Sequence, residues 1–275
     1  MTSKTPADLL IQPREIAFGR EEPHPRWWLA GDPVATAFYN ALSITFPLGE
    51  RFFMDAVRHY RARTAPALQG QIGAFLKQEA MHSREHVFFN RQLTDHGYDI
   101  GPAEKRLAWR INLSRKSPPA MQLAATAALE HFTAIMAHGV LRDPRHFEGA
   151  STEAAKMWRW HAMEEIEHKA VAFDTFTTDV RGGPVGRWLL RAWVMLVATL
   201  LFTYTITRNV IDLLHQDGIN TPRTWARTIR YLWGSPGLLR SIVPAYFAYY
   251  RPGFHPWEID DRDLLAPIQG EFAAG

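Results

Sequence analysis

The sequence predicts an all-α protein: a four-helix bundle with additional C-terminal helices. Three observations predict it. Apolar residues recur at helical spacing over several long stretches, no run alternates as a half-buried strand would, and four of the helical stretches carry a carboxylate inside apolar sequence. At 47% hydrophobic content, the 275 residues can build a substantial core. The expected organisation is an irregular segment over 1–32, the bundle over 33–182, and a helical extension packed on it over 183–275.

Taken in order, "REEPHPRWWLAGDP" carries three prolines and a glycine, which break any helix. The start, "MTSKTPADLLIQPREI", lacks the apolar core of a secretory signal, so the chain reads as cytoplasmic, with membrane association as the alternative. A helix is expected from about Pro33 to Thr64, kinked or restarted at Pro47. The next runs from about Pro66 to Asp95, with Ile72, Phe75, Leu76 and Ala80 at helical spacing and Gly97 ending it. Residues 98–117 are mixed and basic. A third bundle helix follows through "AMQLAATAALEHFTAIMAHGVL", and a fourth spans about Thr152 to Thr178, closed by "RGGPVG".

Residues 188–207, "WLLRAWVMLVATLLFTYTIT", are nearly long enough to span a bilayer. The expectation is a buried helix capping the bundle, or a homodimer contact. Peripheral membrane contact comes second and a true span third, with Arg191 able to snorkel.

Composition excludes several classes. There is no cysteine, hence no disulfide, thiolate zinc site or iron–sulfur cluster, and any metal must be held by His, Asp or Glu. A net charge of +3 gives no case for nucleic acid as a partner.

The chemistry lies in spacing. Glu50 sits in "FPLGERFF", Glu79 and His82 in "LKQEAMHSREH", Glu130 in "TAALEHFTA", and Glu165 and His168 in "HAMEEIEHK". In order this reads Glu, Glu-x-x-His, Glu, Glu-x-x-His. Residues three apart share a helix face, so each Glu-x-x-His aims a carboxylate and an imidazole at one point. Two such pairs and two lone glutamates, meeting inside a bundle, form the two-metal site of ferritin-like di-iron and di-manganese proteins. The competing reading is a buried ion-pair network. Glu130 argues against it, because an unpaired carboxylate in so apolar a helix would be costly.

His161 and His86 lie on the same faces as these pairs. Each is open as a further ligand, a partner orienting a ligand, or a core histidine. His161 is expected to point at the same metal as His168. Glu164 and Asp174 are candidates for orienting imidazoles. Tyr60, Trp158 and Trp160 lie near this core in sequence, and aromatic packing is the expected role of each.

The run "FPLGERFF", "QEAMHSREH", "LEHFTA", "WHAMEEIEHKAVAFD" resembles a bacterial family labelled predicted metal-dependent hydrolase. "GFHPWEIDD" is similar to that family's C-terminal end, and the resemblance spans roughly residues 25–265. The His-x-x-x-Glu-x-x-His element, "HAMEEIEH", also resembles the last ligand helix of di-iron arylamine N-oxygenases, where the extra histidine binds metal. That resemblance implies Glu50, Glu79, His82, Glu130, His161, Glu165 and His168 as ligands.

An all-Glu/His site suits iron as the first reading of two metal ions, with manganese, a mixed iron/manganese pair or zinc as alternatives. The first functional expectation is an O2-dependent oxidoreductase acting on a small, apolar organic molecule, with an electron donor as partner. The alternatives are a hydrolase using metal-activated water and a non-catalytic iron- or manganese-binding protein.

Overall fold

Proline sets where most of the helices begin. Its fixed φ and missing N–H suit the first turn, whose donors have no intrahelical partner. The computed structural model describes residues 4–6 and 8–272, so the outermost parts of the expected 1–32 and 183–275 segments lie outside it. Helices α1 (Pro33–Ser43), α3 (Pro66–Asp95), α5 (Pro119–Arg142), α8 (Pro184–Gln216) and α9 (Pro222–Ile229) all start on proline. In α2 (Phe46–Arg61) and α4 (Gly101–Ser114) it is the second residue. Pro47 therefore restarts the chain and does not kink it. Asp32 caps α1 through a 2.8 Å bond from Val34 N–H. The remaining α-helices are α6 (Thr152–His168), α7 (Val171–Asp179), α10 (Leu238–Ala248) and α11 (Arg262–Glu271). Among the described residues the one β-type contact is an isolated bridge between Leu29 and Ala150.

Two expectations on helix extent differ from the structure. Residues 101–114, read as mixed, form α4, and its weak apolar pattern reflects a helix that buries only Ala103 fully. The fourth bundle helix is interrupted at Lys169–Ala170, directly after His168, and resumes as α7.

The bundle core is α2, α3, α5 and α6. Helix α2 packs on α3 and α5, and α6 packs on α5 and α3, which closes a ring of four. Helix α5 also meets α7, α8 and α10. A helix covered on so many sides must be apolar nearly all round, and α5 is, with Leu123, Ala124, Ala127, Ala128 and Ile135 buried. Glu130 is buried among them.

Helix α8 corrects the expectation of buried core for residues 188–207. Only 28% of its most apolar 18-residue window is buried. One face, with Val194, Met195, Ala198 and Val210, packs inward, while Leu189, Trp193, Leu196, Leu200 and Tyr204 are exposed. An apolar run does not by itself tell a two-sided helix from a one-sided one. Arg191 does not snorkel outward. It is buried, binds the Tyr249 and Arg251 carbonyls, and lies 4.5 Å from the Tyr249 ring centroid.

Gly97 ends α3 in a left-handed conformation, φ +89°. Its N–H donates to Thr94 O at 2.9 Å and Tyr98 N–H donates to Leu93 O at 3.1 Å, so the last carbonyls are satisfied. A Cβ here would meet only Arg26 Nη1, at 3.9 Å, so the constraint is φ and not space. Gly97→Ala is expected to cost about 1–2 kcal/mol, read as a melting temperature lowered by a few degrees with helix content unchanged.

Candidate metal centre

Glu50, Glu79, His82, Glu130, His161, Glu165 and His168 are all at most 3% exposed. They come from all four core helices and converge. His168 Nε2 lies 3.1 Å from Glu79 Oε1, 3.4 Å from Glu130 Oε2 and 3.6 Å from Glu165 Oε2. His82 Nδ1 lies 3.9 Å from Glu79 Oε1 and 3.5 Å from Glu165 Oε1. Glu79 and Glu165 thus stand between the two imidazoles. Glu130 flanks His168. Glu50 belongs with Glu79 and His82 on the other side.

Hydrogen bonds behind the rings decide which nitrogen faces the cluster. Gln78 donates from Nε2 to Glu167 Oε2 at 2.8 Å, which turns its Oε1 toward His168 Nδ1 at 2.9 Å. His168 therefore carries a proton on Nδ1 and presents Nε2 to the glutamates. His82 Nε2 is hydrogen-bonded to Glu164 Oε2 at 3.1 Å, leaving Nδ1 to face inward; burial and Glu167 raise Glu164 to about 8.

The third ring follows by the same logic. Asn90 Nδ2 donates to Ser43 O at 3.0 Å, so its Oδ1 accepts from Ser43 Oγ at 2.7 Å. Ser43 Oγ can then only accept from His86 Nδ1, at 2.8 Å. His86 Nε2 is left to accept from His161 Nδ1 at 2.7 Å. His161 Nε2 thus aims a lone pair at Glu165 Oε1, 2.8 Å away. Two acceptors cannot share that distance without a proton or a cation between them.

The donor set fits metal on this ground. Glu79 and Glu130 each have both carboxylate oxygens buried without a hydrogen-bond partner, as are one oxygen each of Glu50 and Glu165, His82 Nδ1 and His168 Nε2. So many orphaned acceptors in one place need a positive charge. Protons supply part of it in this state. Burial, reinforced by Glu79, pushes Glu50 well above the usual carboxylate range, and burial with Glu130 does the same to Glu79. Burial raises Glu130 to about 7, against the pull of His168. Burial alone would raise Glu165, but His168 and His161 hold it well below its ordinary value. Burial would likewise lower His168, yet Glu165, Glu130 and Glu79 raise it strongly.

The other expected residues divide. Glu164 does orient an imidazole, that of His82. His86 sits behind His161 with both ring nitrogens committed. His161 gathers with His82 and Glu165, and His168 with Glu79 and Glu165. Asp174 orients no ligand histidine. It accepts from His255 Nε2 at 2.9 Å and from Thr5 Oγ1 at 3.0 Å, so it fastens "GFHPWEIDD" to α7. Trp160 meets His82 edge-on at 4.9 Å, Trp158 lies parallel to His161 at 6.2 Å, and Tyr60 packs under Arg63.

The spacing argument missed Gln78, Glu167, Arg14, Ser43 and Asn90. Arg14, in the irregular N-terminal segment, is 8% exposed and reaches Glu167 at 2.8 Å and Glu164 at 3.3 Å. Burial would lower its pKa, but the two glutamates raise it, so it stays charged. The one signal for this partnership was a surplus: "HAMEEIEH" holds more glutamates than a ligand set uses.

Two outcomes are expected. Gln78→Met removes the acceptor behind His168 and should weaken metal binding about 10–100-fold in a chelator-competition titration, with helix content retained. The second concerns pH. Glu130 keeps its proton in the metal-free fold up to about pH 7 but releases it at its ordinary 4.5 when unfolded. Glu130 therefore binds more protons folded than unfolded in that window, while His82, His86, His24 and His131, whose pKa burial lowers from 6.5, act with the opposite sign until pH passes about 6.5. This contribution to stability is complete below about 4.5 and lost as pH rises through about 7; raised His168 acts with the same sign. Above about pH 6.5, where the lowered histidines no longer titrate in either state, Glu50, Glu79 and His168, all raised, act alone; thermal melts of chelator-treated protein should show stability falling there, and metal loading should abolish the fall while releasing protons.

Comparison with known proteins finds no curated protein and no solved structure that matches. A family model described as "Predicted metal-dependent hydrolase" matches residues 12–260. The match starts at the segment that carries Arg14 and takes in every donor and every residue that backs one. The chain belongs to the family of predicted metal-dependent hydrolases.

Proposed function

We propose that the protein is a dinuclear metal enzyme, and that its reaction is hydrolysis of a substrate with an apolar part. The convergence of seven buried donors, orphaned toward one another, carries the metal reading. The family description supports hydrolysis. A pair of divalent cations held here would lower the pKa of a water and polarise the bond to be cleaved.

The chain's own contribution is shape and exclusion of water. A cavity of ≈ 40 Å³ reaches Glu165 and His161 from between α1, α5 and α6, under Leu238. Leu42, Phe46, Met136 and Val140 line it, so an apolar group would settle there with its reacting end at the donors. Its polar lining beyond the donors is Tyr39, Thr133 and Trp158. The Trp158 indole N–H is buried without an acceptor and can hold a substrate oxygen. His161 is held in one tautomer by His86 and Ser43 through the bonds already described, so its Nε2 stays turned to the donors.

That same cavity favours a second reading, an O2-dependent oxidation by iron. It is small and mostly apolar and holds no acid or base apart from the donors and Tyr39. It would admit a gas.

One experiment separates the two. Elemental analysis of loaded protein should give about two ions per chain, and Glu130→Ala should lose at least one. Zinc- or manganese-loaded protein should then cleave medium-chain esters or amides under argon. No cleavage by any loaded form, together with O2 uptake and an absorption change in the iron-loaded form, would replace hydrolysis with oxidation.

A further inference from the structure

The exposed side of α8 is ordered. Val185, Leu189, Trp193, Leu196, Leu200 and Tyr204 recur every three or four residues, which places them on one stripe. Each is between 44% and 68% exposed. The stripe is about 29 Å long at the helical rise. Helix α4 lies beside it and adds Trp109, 67% exposed, and Leu113, 55% exposed. Arg110 joins the two helices, binding Thr205 Oγ1 on α8 with its guanidinium 4.5 Å over the Tyr204 ring. Monomers rarely leave so long an apolar surface uncovered.

Charge indicates what covers it. Between residues 180 and 257 there are nine arginines and two aspartates; Arg191 is buried and Arg208, Arg227 and Arg251 are paired with acids, which leaves Arg181, Arg187, Arg223, Arg230 and Arg240 with no acidic partner among the described residues. Both aspartates are already engaged, Asp212 with Arg106 and Arg208, and Asp217 with Arg26. A second copy of the chain would set arginine against arginine. An anionic bilayer meets both properties of the face: leucines enter the acyl boundary, Trp and Tyr sit at headgroup depth, and guanidinium groups meet phosphate. A span is excluded by the inner side of α8, where Arg191 and Asn209 are buried and bonded to the rest of the fold.

We propose that the α4–α8 face docks on an anionic lipid surface, with α8 lying in the plane of the interface. The inner side of α8 packs on α5, so the helix that carries Glu130 lies one helix layer from the lipid.

Co-sedimentation tests this. Metal-loaded protein should pellet with vesicles of equal parts phosphatidylcholine and phosphatidylglycerol, and bind pure phosphatidylcholine vesicles more weakly; high salt should reduce the difference. Trp193→Glu with Leu200→Glu should cut partitioning at least about ten-fold while metal content and helix content stay unchanged. Because both side chains are exposed, the fold has no need of them; Trp193→Ser with Leu200→Ser provides an uncharged check. Protein that stays in the supernatant with both vesicle types overturns the proposal, as do variants that bind like the wild type. So does a wild-type dimer in sedimentation velocity that the substitutions dissociate without vesicles, which would make the occupant a second copy.

Discussion

Three imidazole rings, each saturated at one nitrogen from behind, are the constraint on which the rest depends. A histidine can present a lone pair at a defined point only if its other nitrogen is held. Gln78, Glu164 and His86 do the holding, and they are polar and buried themselves. Each needs a further partner, so one ligand propagates a chain of obligations outward: His161 to His86 to Ser43 to Asn90, and His168 to Gln78 to Glu167 to Arg14. The aromatic packing around Trp158 and the closure of α5 on many sides keep water from these bonds. The two histidine sets are also unequal. His82 is backed by a carboxyl group that burial raises to about 8, and His168 by an amide, so only the partner of His82 can change charge near neutral pH.

The irregular ends of the chain complete this framework. Helix α6 is buried on nearly every side, yet it carries glutamates that no neighbouring bundle helix neutralises. Arg14 neutralises two of them from a segment with no regular structure. At the break after His168, Lys169 is 3% exposed and is matched by Asp261 Oδ2 at 2.6 Å and the Trp257 ring at 4.0 Å. Removing either partner would strand a buried charge, which is far costlier than losing a surface pair.

The sequence made legible whatever has a local period. The repeated Glu-x-x-His placed four donors, apolar context singled out Glu50 and Glu130, and the bounds of α3 followed from Pro66 and Gly97. What stayed hidden depends on a neighbour distant in sequence. Nothing in "QPREI" says that Arg14 meets Glu167, and nothing around Asp174 says that His255, and not a ligand, is its partner. Periodicity gives the face of a residue but not what that face meets. The same gap explains α8, where an apolar run was equally consistent with core and with an outer surface. Helix α4 was missed because a surface helix that buries little has little pattern to show.

Glu167 is the point where a segment before the bundle and a segment after it meet. Arg14 arrives from 153 residues upstream, and Gln269 donates to the same carboxylate, 2.8 Å away, from 102 residues downstream. During synthesis the ligand helices emerge well before Gln269 does. Until the 102 residues that follow Glu167 have been made, the carboxylate that steadies Gln78, and through it His168, lacks one of its donors. Closing that loop cannot begin until Gln269 has left the ribosome, after every donor of the cluster has been made. His168 therefore gains the last bond in its supporting chain later than His82 and His161 gain theirs, which draw only on residues before 165.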